Sequence, residues 1–389
     1  MFKHLITPLF FLLTISFFAS AQPIKTPSYG KGIKLASEDT TFETKIGFRF
    51  QTLYRGDYNL DSDQYTDRLT IRRSRLKFDG FVLDPKFTYK VELALSNQDH
   101  QSGQINESGN TSNIILDAVL KWKISENSTV WFGQTKLPGN RERVISSQKL
   151  QFVDRSLVNS LFNLDRGMGV QLHRETEFST GMVLRQAASI SMGEGRNITA
   201  SNPYNGYDYT LRLEWLPMGN FTSGGDYFGS DLKREERPKL SIGSSYDWNF
   251  HAVRSRGNLG QFISDSEGQY VENNLYTLFL DAMFKYQGFS YMAEYAHRTA
   301  RTPSSSFGIG SGIVNQMGYL FANNVGIDVR HTMIFPEEVS AINEITEYTL
   351  GVSKFLSGHN LKFQSDITYR QITNGSDLVQ FRFQTEVAF

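Results

Sequence analysis

"LVQFRFQTEVAF" (378–389) closes the chain and decides its fold class. Val379, Phe381, Phe383, Thr385, Val387 and Phe389 fall on one face of a strand, and Gln380, Arg382, Gln384, Glu386 and Ala388 on the other. Alternation of that length gives a strand with one apolar and one polar face. A terminal strand of a soluble sandwich alternates too, but seldom finishes on an aromatic residue. This ending has the form of the signal by which the barrel-assembly machinery recognises outer-membrane substrates, with Phe389 and Val387 as its carriers.

The other end agrees. "MFKHLITPLFFLLTISFFASAQ" (1–22) has a basic start at Lys3, a short apolar core and Ala19-Ser20-Ala21 before Gln22. It reads as a secretory leader over 1–21 with an A-x-A cleavage site. Residues 22–42 then form an N-terminal periplasmic segment, and 43–389 the barrel. Gln22 follows the cleavage point, so no cysteine is there to take a lipid. Past it, no stretch approaches the roughly 20 apolar residues that a spanning helix needs. An exported chain without such a helix is either soluble or an outer-membrane barrel, whose apolar content hides in alternation.

Composition narrows the function. Lys plus Arg equals Asp plus Glu at 40 each, so no global basic field exists to hold nucleic acid. Cysteine is absent, which removes disulfides, thiolate metal ligands and a thiol nucleophile. Phe 30, Tyr 18 and Gly 32 against Pro 10 favour twisted strands joined by turns.

Alternating runs recur throughout and predict an all-β, antiparallel transmembrane barrel of about sixteen strands. They lie near 43–55, 68–79, 86–96, 112–123, 129–136, 167–174, 180–189, 208–216, 238–248, 273–286, 288–299, 314–323, 325–333, 344–356, 359–372 and 378–389. "YDYTLRLEWLP" sets Tyr207, Tyr209, Leu211, Leu213 and Trp215 against Asp208, Thr210, Arg212 and Glu214. Aromatics at the ends of such faces (Tyr54, Tyr286, Phe289) suit interfacial girdles. Connectors alternate between short turns, such as 83–85 and 287–288, and longer loops at 56–67, 97–111, 188–206, 249–272 and 301–313. The connector 217–237 breaks that alternation, being long where a short turn is due. An even strand number closes the sheet, because open edges are not tolerated in lipid.

The second strand carries the chemistry. "DRLTIRRSRLKFDG" (67–80) holds Arg68, Arg72, Arg73, Arg75 and Lys77 with no acid between them. Rings of Arg or Lys in a channel favour anions, and guanidinium is permanently charged with forked donors. Arg73, Arg75 and Lys77 share one parity and are expected inward, with Arg49 on the preceding strand. Arg72 has the other parity, and an arginine facing lipid at midplane costs about 2–4 kcal/mol. It therefore requires a bulge, a rim position or a subunit contact.

Residues 137–166, "LPGNRERVISSQKLQFVDRSLVNSLFNLDR", form a connector long enough to imply function. Leu150, Val153, Leu157, Val158 and Leu161 are spaced for a short amphipathic helix. Arg141, Arg143, Lys149, Arg155 and Arg166 against Glu142, Asp154 and Asp165 leave it net positive. Arg141, Arg143, Arg155 and Arg166 join the candidate pore-lining set.

These residues carry a resemblance. "RLTIRRSRLKFDG", "VWFGQTKLPGNRERVISSQKLQFVDRSLVNSLFNLDRGMGVQL" and the final "VAF" resemble the phosphate-selective porin O/P family over most of 29–389. The resemblance implies a sixteen-stranded, trimeric barrel in the outer membrane of a Gram-negative bacterium, its third loop folded inward and its pore passing small inorganic anions, with phosphate or polyphosphate among them. Phosphate-selective members have lysine clusters near the constriction; this loop has Lys149, after Lys136 at its start, and otherwise arginines. The alternatives are a general non-selective porin and a barrel enzyme. The expected partners are anions, outer-membrane lipid, the assembly machinery and two further copies. No catalytic residue, metal or cofactor is expected: the histidines are scattered, and there is no H-x-x-x-H pair or G-x-S-x-G elbow.

Overall fold

The computed structural model describes residues 28–99, 113–198 and 206–389. The leader predicted over 1–21 lies outside them, as does most of the 97–111 loop. The strands are β1 (Ile33–Ala36), β2 (Phe42–Asn59), β3 (Gln64–Val82), β4 (Asp84–Ala94), β5 (Ile115–Ser125), β6 (Ser128–Lys136), β7 (Arg166–Glu177), β8 (Val183–Ser191), β9 (Asp208–Leu216), β10 (Lys239–Ala252), β11 (Asn273–Tyr286), β12 (Phe289–Ala300), β13 (Gly310–Leu320), β14 (Val325–Pro336), β15 (Ile345–Ser357), β16 (Leu361–Ile372) and β17 (Leu378–Ala388). Two short helices, α1 (Arg141–Val144) and α2 (Leu157–Phe162), sit between β6 and β7.

β2 to β17 each pair antiparallel with their sequence neighbours, and β17 closes on β2 from Leu378↔Asn59 to Ala388↔Arg49. The result is a closed sixteen-stranded barrel, which satisfies every backbone group without an edge. The closing seam is the stretch read first. Phe389 and Phe48 exchange backbone hydrogen bonds of 2.9 and 2.8 Å, and their rings lie 5.5 Å apart. Phe381 and Phe383 face outward, while Gln380, Arg382, Gln384 and Glu386 are buried inside. On β9, Leu211, Leu213 and Trp215 are exposed, and Asp208, Thr210, Arg212 and Glu214 are buried.

Three expectations change. The sequence reading omitted β1, which pairs with β2 at Ile33↔Ile46 through Ala36↔Glu43. The loop placed at 56–67 is mostly strand: β2 and β3 continue to a four-residue link at 60–63, with Tyr58 opposite Tyr65. Cross-strand aromatic pairing there outweighs the low strand propensity of the acidic residues. The helix read across Leu150 to Leu161 is confined to α2; Leu150 and Val153 are buried in non-helical chain.

β3 resolves its parity conflict with a bulge. Gln51 opposes Arg73, and the next residue, Thr52, opposes Ile71, so Arg72 is the extra residue. Beyond the bulge the faces exchange, which leaves Leu69 and Ile71 exposed on the outside while Arg72 and Arg73 both reach Asp154 inside the barrel. One inserted residue thus keeps a basic strand basic on one face only. Deleting Arg72 is expected to leave a folded barrel, since Ile71 then follows Arg73 directly against Thr52 and Gln51 and every other side chain keeps its face. Arg72→Ala is expected to fold as well. Heat-modifiable gel mobility checks both.

Two segments fold into the lumen. α2 lays Val158 and Phe162 on an inner patch of Phe279, Ala296, Val314 and Ile334. The wall makes room with glycine: a Cβ on Gly312 would stand 2.9 Å from Val158, and one on Gly351 would stand 3.0 Å from Phe152. From the opposite end the long connector 217–237 also turns inward. Lys285 Nζ donates to its carbonyls at Gly225 (2.8 Å), Phe228 (2.9 Å) and Ser230 (3.0 Å). Phe221 of this connector packs with Ile145 and Leu150 of the β6–β7 loop.

Candidate functional site: an arginine-lined passage

The β6–β7 loop crosses the lumen because its charges are met at each wall. Arg141 is fully buried, with Nε 2.6 Å from Asp281 and Nη2 3.3 Å from Glu214. Arg212 closes the square at 2.8 Å from Asp281 and 2.6 Å from Glu214. Across the barrel Arg49 pairs with Glu386 at 3.1 Å and donates to Ser147 Oγ at 2.7 Å, while Lys362 Nζ donates to the Gln148 carbonyl at 2.8 Å. Arg141 and Arg49, both read as pore-lining, are instead buried tethers for the loop. Sequence counts charge but does not show which charge is already neutralised.

The remaining candidates converge. Asp154 accepts from Arg72 at 2.8 Å and from Arg73 at 2.9 Å. Arg75 binds Asp99 through Nε at 2.7 Å and Glu92 through Nη1 at 2.9 Å. Arg143 pairs with Asp165, and Arg166 lies 3.0 Å from Asp117 and 3.2 Å from Asp165. Lys77 takes a more exposed place beside Asp79 at 2.6 Å.

Around these groups the loop-side half of the lumen holds two adjoining cavities of about 280 and 430 Å³. Ten arginines line the first, against only three carboxylates, Asp99, Asp154 and Asp165. Four of the ten (Arg55, Arg68, Arg196, Arg382) lie outside the pore-lining set read from the sequence. Their signal was present for Arg55 and Arg382, on the polar parity of β2 and β17. Among the described residues, several guanidiniums in the two cavities are held only by carbonyls. Arg155 donates to Glu142 O (2.8 Å) and Ile145 O (2.7 Å), and Arg196 to Asp99 O (2.9 Å). Arg256 donates to Ser160 O at 2.7 Å.

Positive charge is crowded here beyond its counter-charge. Burial, then the neighbouring Arg143 and Arg73, push the Arg155 guanidinium well below its usual value. Burial pushes Arg196 down to about 10, with Arg166 and Arg143 adding to the fall. Burial raises Asp154, but Arg72 and Arg73 outweigh it and hold that carboxyl well below the usual range. The carboxylates therefore stay ionised, and a mobile anion is the charge that would relieve the rest.

Toward the turn end the passage widens to a cavity of about 890 Å³. Arg75 and Arg166 line it and the arginine cavity alike, and so stand where the two meet. Lys136, at the end of β6, is held by the carbonyls of Arg143, Val144 and Ile145 at 2.7 to 3.3 Å. Lys149 lies over the Phe228 ring at 3.7 Å. Neither lysine joins a cluster at the arginine cavity.

A closed barrel of this strand number, an inward third loop and a charged passage make up the architecture of outer-membrane porins. Residues 44–221 match the family model described as phosphate-selective porin O and P, which bears out the resemblance over the segment that holds β3 and the inward loop. Among solved structures, the chain is similar to an anion-selective porin from Comamonas acidovorans at 11% identity and TM-score 0.54, over 89% of this chain and 99% of that one. It is similar to OmpT of Vibrio cholerae, an outer-membrane protein folded in vitro and in its trimer form, at 12% identity and TM-score 0.52, again over 89% and 99%. At these identities the likeness is one of fold. No curated protein matches the sequence.

Proposed function

We propose that this porin is a passive channel that prefers small anions, with Arg72, Arg73, Arg75, Arg143, Arg155 and Arg166 as the selecting groups and Lys77 below them. The observation that carries the reading is a lumen cavity lined by ten guanidiniums, whose ion-pair partners among the described residues number seven carboxylates (Asp57, Glu92, Asp99, Asp117, Asp154, Asp165 and Asp366). Multi-site, weak attraction of this kind lets an anion enter and leave. The family match and the name of the Comamonas porin support it. Without a lysine cluster beside the arginines, the passage suits inorganic anions generally, phosphate among them, rather than one tight phosphate site. The test is the zero-current potential of purified protein in a planar bilayer under a potassium chloride gradient. Chloride preference supports the reading, and a cation-preferring or unselective channel overturns it.

The same reading takes 1–21 as a leader, 22–42 as a periplasmic segment, 43–389 as the barrel, lipid as the solvent of its apolar outer face, and a homotrimer as the assembly. The trimer rests on the OmpT likeness; crosslinking in detergent at graded doses checks it. Phe389 and Val387 would present the assembly signal. Removing Phe389 takes away two backbone hydrogen bonds at the seam and the ring contact with Phe48. The expected result is a severalfold lower yield of heat-modifiable barrel in outer-membrane fractions, with Phe389→Tyr retaining most of it. Equal yields for the truncated and complete chains would exclude that role.

A further inference from the structure

Below Arg75 and Arg166 the turn-side cavity of about 890 Å³ has a different make-up from the arginine cavity above it. Eight cationic side chains and six carboxylates line it, against ten and three above. Charge alone therefore holds an anion weakly here. The inward connector supplies Gly224 and Tyr227 to its wall.

What this cavity adds is a fixed aromatic ring. Trp131, on the lumen face of β6, is pinned by its Nε1 donating to Thr129 Oγ1 at 3.1 Å. The His173 ring stacks on it with centroids 4.0 Å apart, and Gln171 Oε1 holds His173 Nε2 at 2.9 Å. Lys121 Nζ stands 3.6 Å from the indole centroid. Imidazole and ammonium at those distances occupy opposite faces, because one face has no room for both. Lys121 makes no ion pair among the described residues, so its charge is parked on a ring and its flexible stem lets it leave.

We propose that this cavity is a binding station for oxyanions that carry a flat ring, the ring lying on Trp131 and the anionic head on Lys121. The exchange is direct. The ammonium gives up a cation–π contact for an ion pair, and the indole face it uncovers takes the solute's ring by stacking. Inorganic phosphate uses the head contact but has nothing to place on Trp131. The proposal rests on the anion-preferring reading and adds the solute class. It predicts that the channel passes, and is transiently blocked by, aryl phosphates and aryl carboxylates better than inorganic ions of the same charge.

The experiment compares block of the chloride current by phenyl phosphate and by inorganic phosphate, in full-length protein reconstituted in a planar bilayer. Phenyl phosphate is expected to half-block at a concentration about tenfold lower, the size of one ring-stacking contact. In Trp131→Ala the ratio of the two half-block concentrations should fall to about one, and in Trp131→Phe most of it should remain. Each ratio is taken within one variant, so changes in conductance cancel, and Trp131→Leu, closer in volume, serves if the Ala variant does not fold. Equal block of the native channel by both ions overturns the proposal. So does a ratio that survives the loss of the ring in Trp131→Ala or, if that protein does not fold, in Trp131→Leu. The chloride gradient potential of the native protein is read in the same bilayer: chloride preference with no phenyl advantage defeats this proposal alone, and no chloride preference defeats the reading beneath it.

Discussion

Exchanging Arg73 and Arg75 together for glutamine is expected to lower the anion-to-cation permeability ratio on the order of tenfold or more, read as a shift of zero-current potential in a salt gradient. A unit charge 4 Å from a permeating ion is worth about 1 kcal/mol even at the dielectric of water, and several times that in a narrow passage. Two charges lost therefore move the ratio by at least a decade. The loss is compounded by what the two arginines cover. Arg75 alone makes both short contacts to Asp99 and shares Glu92 with Lys90. Asp154 keeps Arg72 when Arg73 goes, so the newly bare charge is chiefly Asp99. A double variant with unaltered potential would show that these arginines only brace the wall. Raising salt from 0.1 to 1 M is expected to shrink the native preference, as the screening length falls from about 10 to about 3 Å.

Arg141→Ala is expected to act through the shape of the passage. The side chain is fully buried and links α1 to Asp281 on β11 and Glu214 on β9. Its removal leaves Asp281 to Arg212 and Glu214 to Arg212, the Tyr227 hydroxyl and a longer contact with Arg185, inside a wall that offers little water. Breaking a buried pair in this way costs about 3–5 kcal/mol. The loop it tethers also loses its hold near residue 141, so larger and noisier single-channel conductance should accompany a lower temperature of conversion to the heat-denatured gel form. Arg141→Lys restores charge but not the two-pronged geometry, and should recover only part of both. Unchanged conductance together with unchanged heat stability would mean that α2 and its apolar patch hold the loop without Arg141.

The contrast between these two arginines marks what could be read in the sequence. Both were legible as basic residues in a chain whose alternation reads as a barrel. Arg73 sits on a strand whose alternation assigns it a face, and the parity conflict at Arg72 called for a bulge, a rim position or a subunit contact, of which the structure has the bulge. Arg141 sits in a loop, where no period relates neighbouring side chains, and its role depends on Asp281 and Glu214, 140 and 73 residues away. The connector 217–237 was visible as an oddity of length; that it turns into the lumen follows from Lys285, a strand lysine whose three acceptors are backbone carbonyls with no sequence signature. Trp131 and His173 gave no signal at all, since each reads as an ordinary wall residue until β6 and β7 set them side by side.

By itself the sequence determined the barrel: period-two alternation is local, and sixteen repetitions of it with polar residues on one face leave closure as the way to satisfy the backbone in lipid. It also determined that the second strand is basic and that the third loop is long. Tertiary structure decided the site. Whether a guanidinium selects anions or merely staples a loop depends on whether it borders the cavity, as Arg72, Arg73 and Arg75 do, or lies wholly between loop and wall, as Arg141 does, and strands far apart in the chain decide that.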